Sequence, residues 1–128
     1  MKSKEFGSGK DTAKIWYNSV GDCIQFKTDH VPSMRKRIDE YLTLYLTLED
    51  QKPIGFQLKD VHALINKYEI DLFAVQAEYT PADKKLISIT TLILKAFSKM
   101  PANPNRISGY TDAFNTIVKD EDKVEIPV

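Results

Sequence analysis

The chain has 128 residues and a formal net charge of zero, because 18 lysines and arginines are matched by 18 aspartates and glutamates. This length predicts one domain, and 42% hydrophobic with 28% charged residues argues against wholesale disorder. Zero net charge argues against a dedicated nucleic-acid binder, and a single cysteine excludes an intrachain disulfide. With no signal-peptide pattern and no apolar run long enough for a membrane span, we expect a cytoplasmic protein without a membrane partner.

The first part of the chain predicts a tail followed by a hairpin. Residues 1–12 hold glycine and serine among charges, which favours a flexible tail ahead of a single domain over residues 13–118. Residues 13–18 and 22–28 are strand-like runs, and the Ser-Val-Gly between them is turn chemistry. Residues 29–37 are a predicted polar connection. The Arg-Lys-Arg at its end is interpreted as a solvated loop, with contact to an anion as the alternative.

Residues 41–48, which read YLTLYLTL, carry the clearest pattern in the sequence. The side chains of a strand have a period of two, so this alternation predicts a β-strand with two different faces. The face with the leucines, Leu48 included, is expected to be buried. The face with tyrosine and threonine can be buried or open to solvent, and an open face would be free to bind a partner.

A second hairpin is expected where residues 49–53 form a turn and residues 54–58 alternate again. Short connections favour a four-stranded antiparallel meander. Aligning the strands by their apolar residues gives one apolar face and a second face with the following side chains: Trp16, Gln25, Tyr41, Thr43, Tyr45, Thr47 and Gln57.

Helical spacing predominates after residue 60. A helix is expected to start near Lys59 or Asp60 and either to stop near Tyr68 or to run on to Glu78, with an interruption favoured around residues 69–71. Thr80 followed by proline and an acidic residue predicts the N-cap of a helix over residues 81–99, although the β-branched residues in 87–93 make a strand the rival interpretation. A short helix is expected over residues 111–118. Residues 119–128 are predicted to be a tail or one edge strand.

These elements together predict an α+β fold, with a four-stranded, mainly antiparallel sheet in the N-terminal half and two or three helices packed on one face. No catalytic, phosphate-binding or metal-binding motif is present, and we predict neither a catalytic residue, nor a cofactor, nor a metal. His62 is interpreted as a histidine at a helix start, His30 as a loop residue and Cys23 as a small strand residue, because none has a visible chemical partner.

Residues 14–65 resemble small bacterial families of unknown function built from two β-hairpins and a following helix. The resemblance rests on IWYNSVGDCIQFK, on YLTLYLTLED and on the strand-to-helix junction IGFQLKDV. We expect a bacterial or phage-encoded protein. Such families have no established catalytic residues, so the resemblance implies no site.

The sequence therefore favours a small non-enzymatic interaction or regulatory protein, which binds a protein partner or a second copy of itself, as in a homodimer, through a sheet face. The residues predicted to bind the partner are Trp16, Tyr41, Tyr45, Gln25 and Gln57. The alternative is a small enzyme or ligand-binding protein with a pocket between sheet and helices, with polar groups supplied by Asp60, His62 and Glu40. A third option is single-stranded nucleic acid stacked on the three aromatic residues, against which the neutral charge counts.

Overall fold

The computed structural model describes residues 14–28, 31–66, 69, 83–117 and 122–127. Over these residues the fold is α+β, as predicted. Its elements in chain order are β1 (Lys14–Asn18), β2 (Cys23–Lys27), β3 (Ser33–Arg37), β4 (Leu42–Thr47), β5 (Pro53–Leu58), α1 (Val61–Leu64), β6 (Lys84–Ser88), α2 (Ile89–Phe97), α3 (Pro104–Thr116) and β7 (Lys123–Pro127).

The main sheet has five strands rather than the predicted four, in the order β1-β2-β5-β4-β3, and every pair is antiparallel. The additional strand is β3, which lies where the sequence predicted a polar connection. Its sequence, SMRKR, is poor in the β-branched and aromatic residues typical of strands. Pairing with β4 along its whole length, from Ser33 opposite Thr47 to Arg37 opposite Thr43, makes it a strand.

The strand order also differs from the predicted meander, because β5 lies between β2 and β4 at the centre of the sheet. Gly55 in β5 is opposite Lys27 on one side and Tyr45 on the other. A Cβ atom at Gly55 would collide with the carbonyl oxygen of Phe26, so only glycine allows β2 this close. The central position of β5 therefore depends on a residue without a side chain.

The hydrophobic core lies between one face of this sheet and the helices. Leu42, Leu44 and Leu46 point into it, as their alternation predicted. The remaining core side chains include the stacked rings of Phe26 and Phe56, whose centroids are 5.5 Å apart. From α2 and α3 the core receives Leu92, Ile93, Ala96, Tyr110 and Ala113.

Two residues of the predicted long strand lie elsewhere than expected. Leu48 is 58% exposed, because β4 ends at Thr47 and Leu48 belongs to the following turn. Tyr41 precedes β4, in a bend in which the amides of Ile38 and Asp39 both donate to the carbonyl of Leu42. Since the strand alternation does not extend into this bend, the ring of Tyr41 packs against the core rather than with Thr43 and Tyr45.

The helix predicted over residues 81–99 is wrong in its first part. Lys84–Ser88 is strand β6, which pairs antiparallel with β7 in a separate two-stranded sheet, and α2 begins only at Ile89. The pairing partner lies more than thirty residues away in sequence, opposite Lys123–Pro127, so local helical signals did not reveal it. The helix start near Asp60 is confirmed by α1. Of the predicted interruption at 69–71 only residue 69 is described, and the predicted cap at Thr80 lies outside the described residues.

Helix α3 begins at Pro104, seven residues before the predicted start at 111, with the side chain of Asn103 accepting a hydrogen bond from the amide of Arg106. It packs closely on the sheet, since a Cβ atom at Gly109 would lie 2.6–2.8 Å from three side-chain atoms of Ile38. Within the described ranges, no helix has the length and apolar character to cross a membrane.

Candidate binding face of the sheet

The face of the main sheet opposite the core, here called the second face, is built by the strand alternation that buries the leucines. Four of the five predicted binding residues have register positions on this face: Trp16, Gln25, Tyr45 and Gln57. Tyr41 is the fifth, and its ring packs against the core instead. The structure thus brings together most of the predicted constellation at one surface.

The exposed residues of the second face, among those described, lie in the two edge strands β1 and β3. Tyr45 is only 7% exposed and Thr43 only 6%, so β4, the neighbour of the central strand β5, offers little free aromatic surface. Trp16, in the edge strand β1, is 41% exposed. The role of these rings in binding a partner stays a prediction, but among the tyrosine and tryptophan rings at this face the accessible one is that of Trp16.

The burial of Tyr45 follows from its neighbours. The Nζ atom of Lys27 lies 5.2 Å from the centre of its ring, and the guanidinium of Arg35 lies 6.0 Å away. Its hydroxyl oxygen accepts a hydrogen bond of 3.0 Å from the Nε2 of Gln25. Two cations and an amide thus surround one ring, an arrangement in which the π-system partly stabilises the positive charges.

A chain of polar contacts extends from β3 toward β2. Arg35 Nη2 donates to Gln57 Oε1 at 2.6 Å, and Gln57 Nε2 lies 3.5 Å from the Sγ atom of Cys23. These contacts orient the guanidinium of Arg35 along the sheet. Because Arg35 holds the amide of Gln57, this amide is not free to bind a partner. The surface presents the positioned guanidinium of Arg35 instead.

The sequence-based prediction missed the cations of this face, among them Lys27, Arg35 and Arg37; Lys14, opposite Lys27, also has its register position there. Both arginines are exposed, and none of the described residues whose register positions lie on the second face is acidic. The Arg-Lys-Arg run was visible in the sequence, but only the strand alternation of β3 shows that Arg35 and Arg37 share a face while Lys36 is on the other. Despite a neutral chain, the second face is locally basic, so it suits an anionic partner.

A second polar cluster joins Tyr17, Asp22 and His62. The hydroxyl of Tyr17 donates to Asp22 Oδ1 at 2.6 Å, and His62 Nδ1 lies 2.6 Å from the same oxygen. The Nε2 of His62 is 2.8 Å from the carbonyl oxygen of Pro127 in β7. Since both ring nitrogens already have protein partners, this histidine has the geometry of a structural link between α1, the β1–β2 turn and β7.

The ionisation of this cluster follows from the same contacts. Burial by itself lowers the pKa of His62, but the Pro127 carbonyl and the Asp22 carboxylate outweigh burial and raise this pKa above its ordinary value. For Asp22, burial raises the pKa, and the hydrogen bonds from Tyr17 and His62 outweigh it and lower the pKa. Burial and the adjacent Asp22 carboxylate raise the pKa of the Tyr17 hydroxyl.

The residues proposed for the alternative pocket do not meet in the described part of the chain. Asp60 is an exposed residue with φ of 58°, Glu40 is exposed in the β3–β4 bend, and His62 makes the contacts given above. Core side chains fill the space between sheet and helices. A cavity of about 490 Å³ lies instead beside the β4–β5 turn, and an apolar groove of about 230 Å³ lies between α2 and α3.

In the described ranges, no three histidine, cysteine, aspartate or glutamate side chains come close enough together to hold a metal ion. Comparison of the chain with known protein families, with curated proteins and with solved structures found no match. The resemblance to small bacterial families therefore stays a prediction.

Proposed function

We propose that this chain is a small non-enzymatic interaction protein that binds a protein partner through the second face of its five-stranded sheet. The observation that carries the proposal is the concentration of Lys27, Arg35 and Arg37 on a face without an acidic residue among those described, whose opposite edge strand, β1, carries the 41% exposed ring of Trp16. Tryptophan and arginine are the residue types enriched where proteins bind one another.

The charge of the face indicates what the partner offers. Exposed cations accelerate the encounter with a negatively charged surface and disfavour positively charged ones. Nucleic acid fits this face less well than protein, because base stacking needs exposed rings and Tyr45 is buried under Lys27 and Arg35. The proposal keeps the cytoplasm as the site of action, where Cys23 remains a free, buried thiol.

Titration with poly-L-glutamate tests the proposal. Trp16 is the single tryptophan of the chain and lies in β1, at the opposite edge of the second face from β3, so its fluorescence reports on a long polymer that extends across the face. The double variant Arg35→Gln with Arg37→Gln should weaken binding roughly tenfold, as expected for two exposed ion pairs of about 0.7 kcal/mol each. Lys36→Gln is the matched control, because Lys36 lies in the same strand with its side chain on the other face.

Static light scattering across protein concentration decides whether the partner is a second copy. Equal weakening by the double variant and the Lys36→Gln control would contradict binding through the second face. Absence of any effect of poly-L-glutamate on Trp16 emission, together with a monomeric wild type, would contradict the proposed function as a whole.

A further inference from the structure

The edge strand β3 combines features that the rest of the second face lacks. It is the last strand in the sheet order, and no strand among the described residues pairs with its outer edge. Four consecutive residues are exposed: Met34, Arg35, Lys36 and Arg37. An edge strand of this kind carries backbone donors and acceptors that another extended chain can pair with.

The hydrogen bonds at the end of β3 show which backbone groups face outward. The amide of Ile38 donates to the carbonyl of Leu42 at 2.9 Å, so this pair is hydrogen-bonded. Opposed residues of antiparallel strands alternate between hydrogen-bonded and non-hydrogen-bonded pairs. Lys36 and Met34 therefore bond to β4, and the N–H and C=O groups of Ser33, Arg35 and Arg37 point away from the sheet.

The side chains of β3 specify what an added strand should carry. Arg35 and Arg37 lie on the second face, so the residues opposite them should be acidic. Met34 lies on the leucine face and is 37% exposed at the rim of the core. An apolar residue beside Met34 would cover it, and an apolar residue beside Lys36, which shares this face, would pack on the methylene groups of the lysine. The complementary segment therefore alternates acidic and apolar residues.

The same charges argue against a second copy of this chain at that edge. Antiparallel pairing of β3 with itself would bring two Arg-Lys-Arg runs side by side, and like charges on facing strands are destabilising. Basic residues on an edge strand are a known means of preventing self-pairing. The edge is thus selective for an acidic partner over its own copy.

We infer that β3 is the docking edge for an extended, alternately acidic and apolar segment of another protein, which adds to the main sheet as a further strand next to Arg35. The inference rests on the proposed function and specifies where and how the partner binds. Single-stranded nucleic acid, the competing polyanion, would use the charges of Arg35 and Arg37 but not the outward backbone groups.

Three fluorescein-labelled peptides of alternating glutamate and valine, about ten residues long, test the inference by anisotropy. The first is unmodified, the second is N-methylated at the glutamates and the third at the valines. Residues opposite Arg35 share its face, so in an antiparallel addition the glutamate amides point to β3 and the valine amides point away. Methylating the glutamates should weaken binding at least about tenfold by removing hydrogen bonds, while methylating the valines should leave the affinity unchanged.

Protein variants provide the reciprocal measurement. Arg35→Gln removes the charge and should weaken binding of the unmodified peptide up to about fivefold. Arg35→Pro also removes the outward N–H, without loss of a bond to β4, and should weaken binding by a further factor of about ten. Circular dichroism checks that both variants fold, and the methylated peptides keep the test decisive if the proline variant does not.

The outcomes separate this inference from the proposed function. Equal affinity for the two methylated peptides would overturn docking at the β3 edge. If the unmodified peptide then still depended on Arg35 and Arg37, binding through the second face would stand. Tighter binding of a twelve-nucleotide oligothymidylate than of the unmodified peptide would overturn the proposal of a protein partner. Failure of the unmodified peptide to bind would overturn docking at β3, and the poly-L-glutamate titration would then decide separately whether the second face binds an anionic partner.

Discussion

Replacing Arg106 by methionine tests the buried ion pair that joins the helices to the sheet. The side chains of Arg106 and Asp39 are 5% and 7% exposed, and Arg106 Nε donates to Asp39 Oδ2 at 3.0 Å. The other guanidinium nitrogens donate to four carbonyl oxygens at the end of α2 and just beyond it, those of Ala96, Phe97, Met100 and Pro101. One side chain therefore satisfies the end of a helix and the charge of Asp39 together.

The expected cost of Arg106→Met is large. Removing one partner of a buried pair leaves an uncompensated charge and costs about 3–5 kcal/mol. The carbonyl of Ala96 loses its donor in a buried setting, so we place the value at the upper end of that range. Asp39 would keep the hydrogen bonds from the amides of Tyr41 and Leu42 and from the hydroxyl of Tyr110, which limits the loss.

The pH dependence of stability gives a second signature. Burial raises the pKa of Asp39, but hydrogen bonds from the Leu42 amide, Tyr110 and Arg106 outweigh it and hold this pKa below its ordinary value. A depressed carboxyl pKa contributes stability above the unfolded pKa of about 3.9, and the contribution is lost as pH falls toward the folded pKa. Arg106→Met should therefore reduce the acid sensitivity of unfolding below about pH 5.

Urea denaturation followed by circular dichroism and Trp16 fluorescence measures the free energy of unfolding. Arg37→Met is the control, since Arg37 is exposed in β3 and its loss should change stability by no more than about 0.5 kcal/mol. Asp39→Asn, alone and with Arg106→Met, completes a double-mutant cycle in which the double variant should cost less than the sum of the singles. An Arg106→Met cost below about 1 kcal/mol, or strictly additive singles, would refute the reasoning.

Three further predictions concern the core, α3 and His62. Leu44→Ala should cost about 2–5 kcal/mol in urea denaturation, because Leu44 is fully enclosed, and a cost no larger than that of Thr43→Ala would contradict the assignment of the leucine face to the core. Gly109→Ala should cost about 1–3 kcal/mol, because the added methyl group would overlap Ile38. In an Ile38→Ala background this cost should disappear. If the Gly109→Ala cost is the same in both backgrounds, the overlap is ruled out. Because folding raises the pKa of His62, protonation of this histidine stabilises the fold. This stabilisation is fully present below the unfolded pKa of about 6.5 and is lost as pH rises through the folded pKa. The difference in unfolding free energy between wild type and His62→Gln should therefore shrink from pH 6 to pH 9, whereas a constant difference would show that protonation plays no part.

The sequence by itself determined the elements whose signal is local. The alternation of residues 41–48 identified β4 and the leucine face, and the turn residues after Asn18 identified the β1–β2 hairpin, because a period of two and turn chemistry are read over a few neighbouring residues. The same alternation assigned Gln25, Tyr45 and Gln57 to a shared face. The α+β class follows from these local patterns.

Only the tertiary structure decided which strands pair and how the second face is charged. β3 and β6 are strands because of partners elsewhere in the chain, β4 and β7, and their own sequences favour a loop or a helix. Arg35 and Arg37 lie on the second face because β3 is paired with β4, and Arg35 reaches the ring of Tyr45 and the amide of Gln57 only in this position. The Arg106–Asp39 pair likewise joins residues far apart in sequence. β3 pairs with the next strand of the chain, but its sequence has no apolar alternation, so the basic edge of this protein could be located only once the sheet had been assembled.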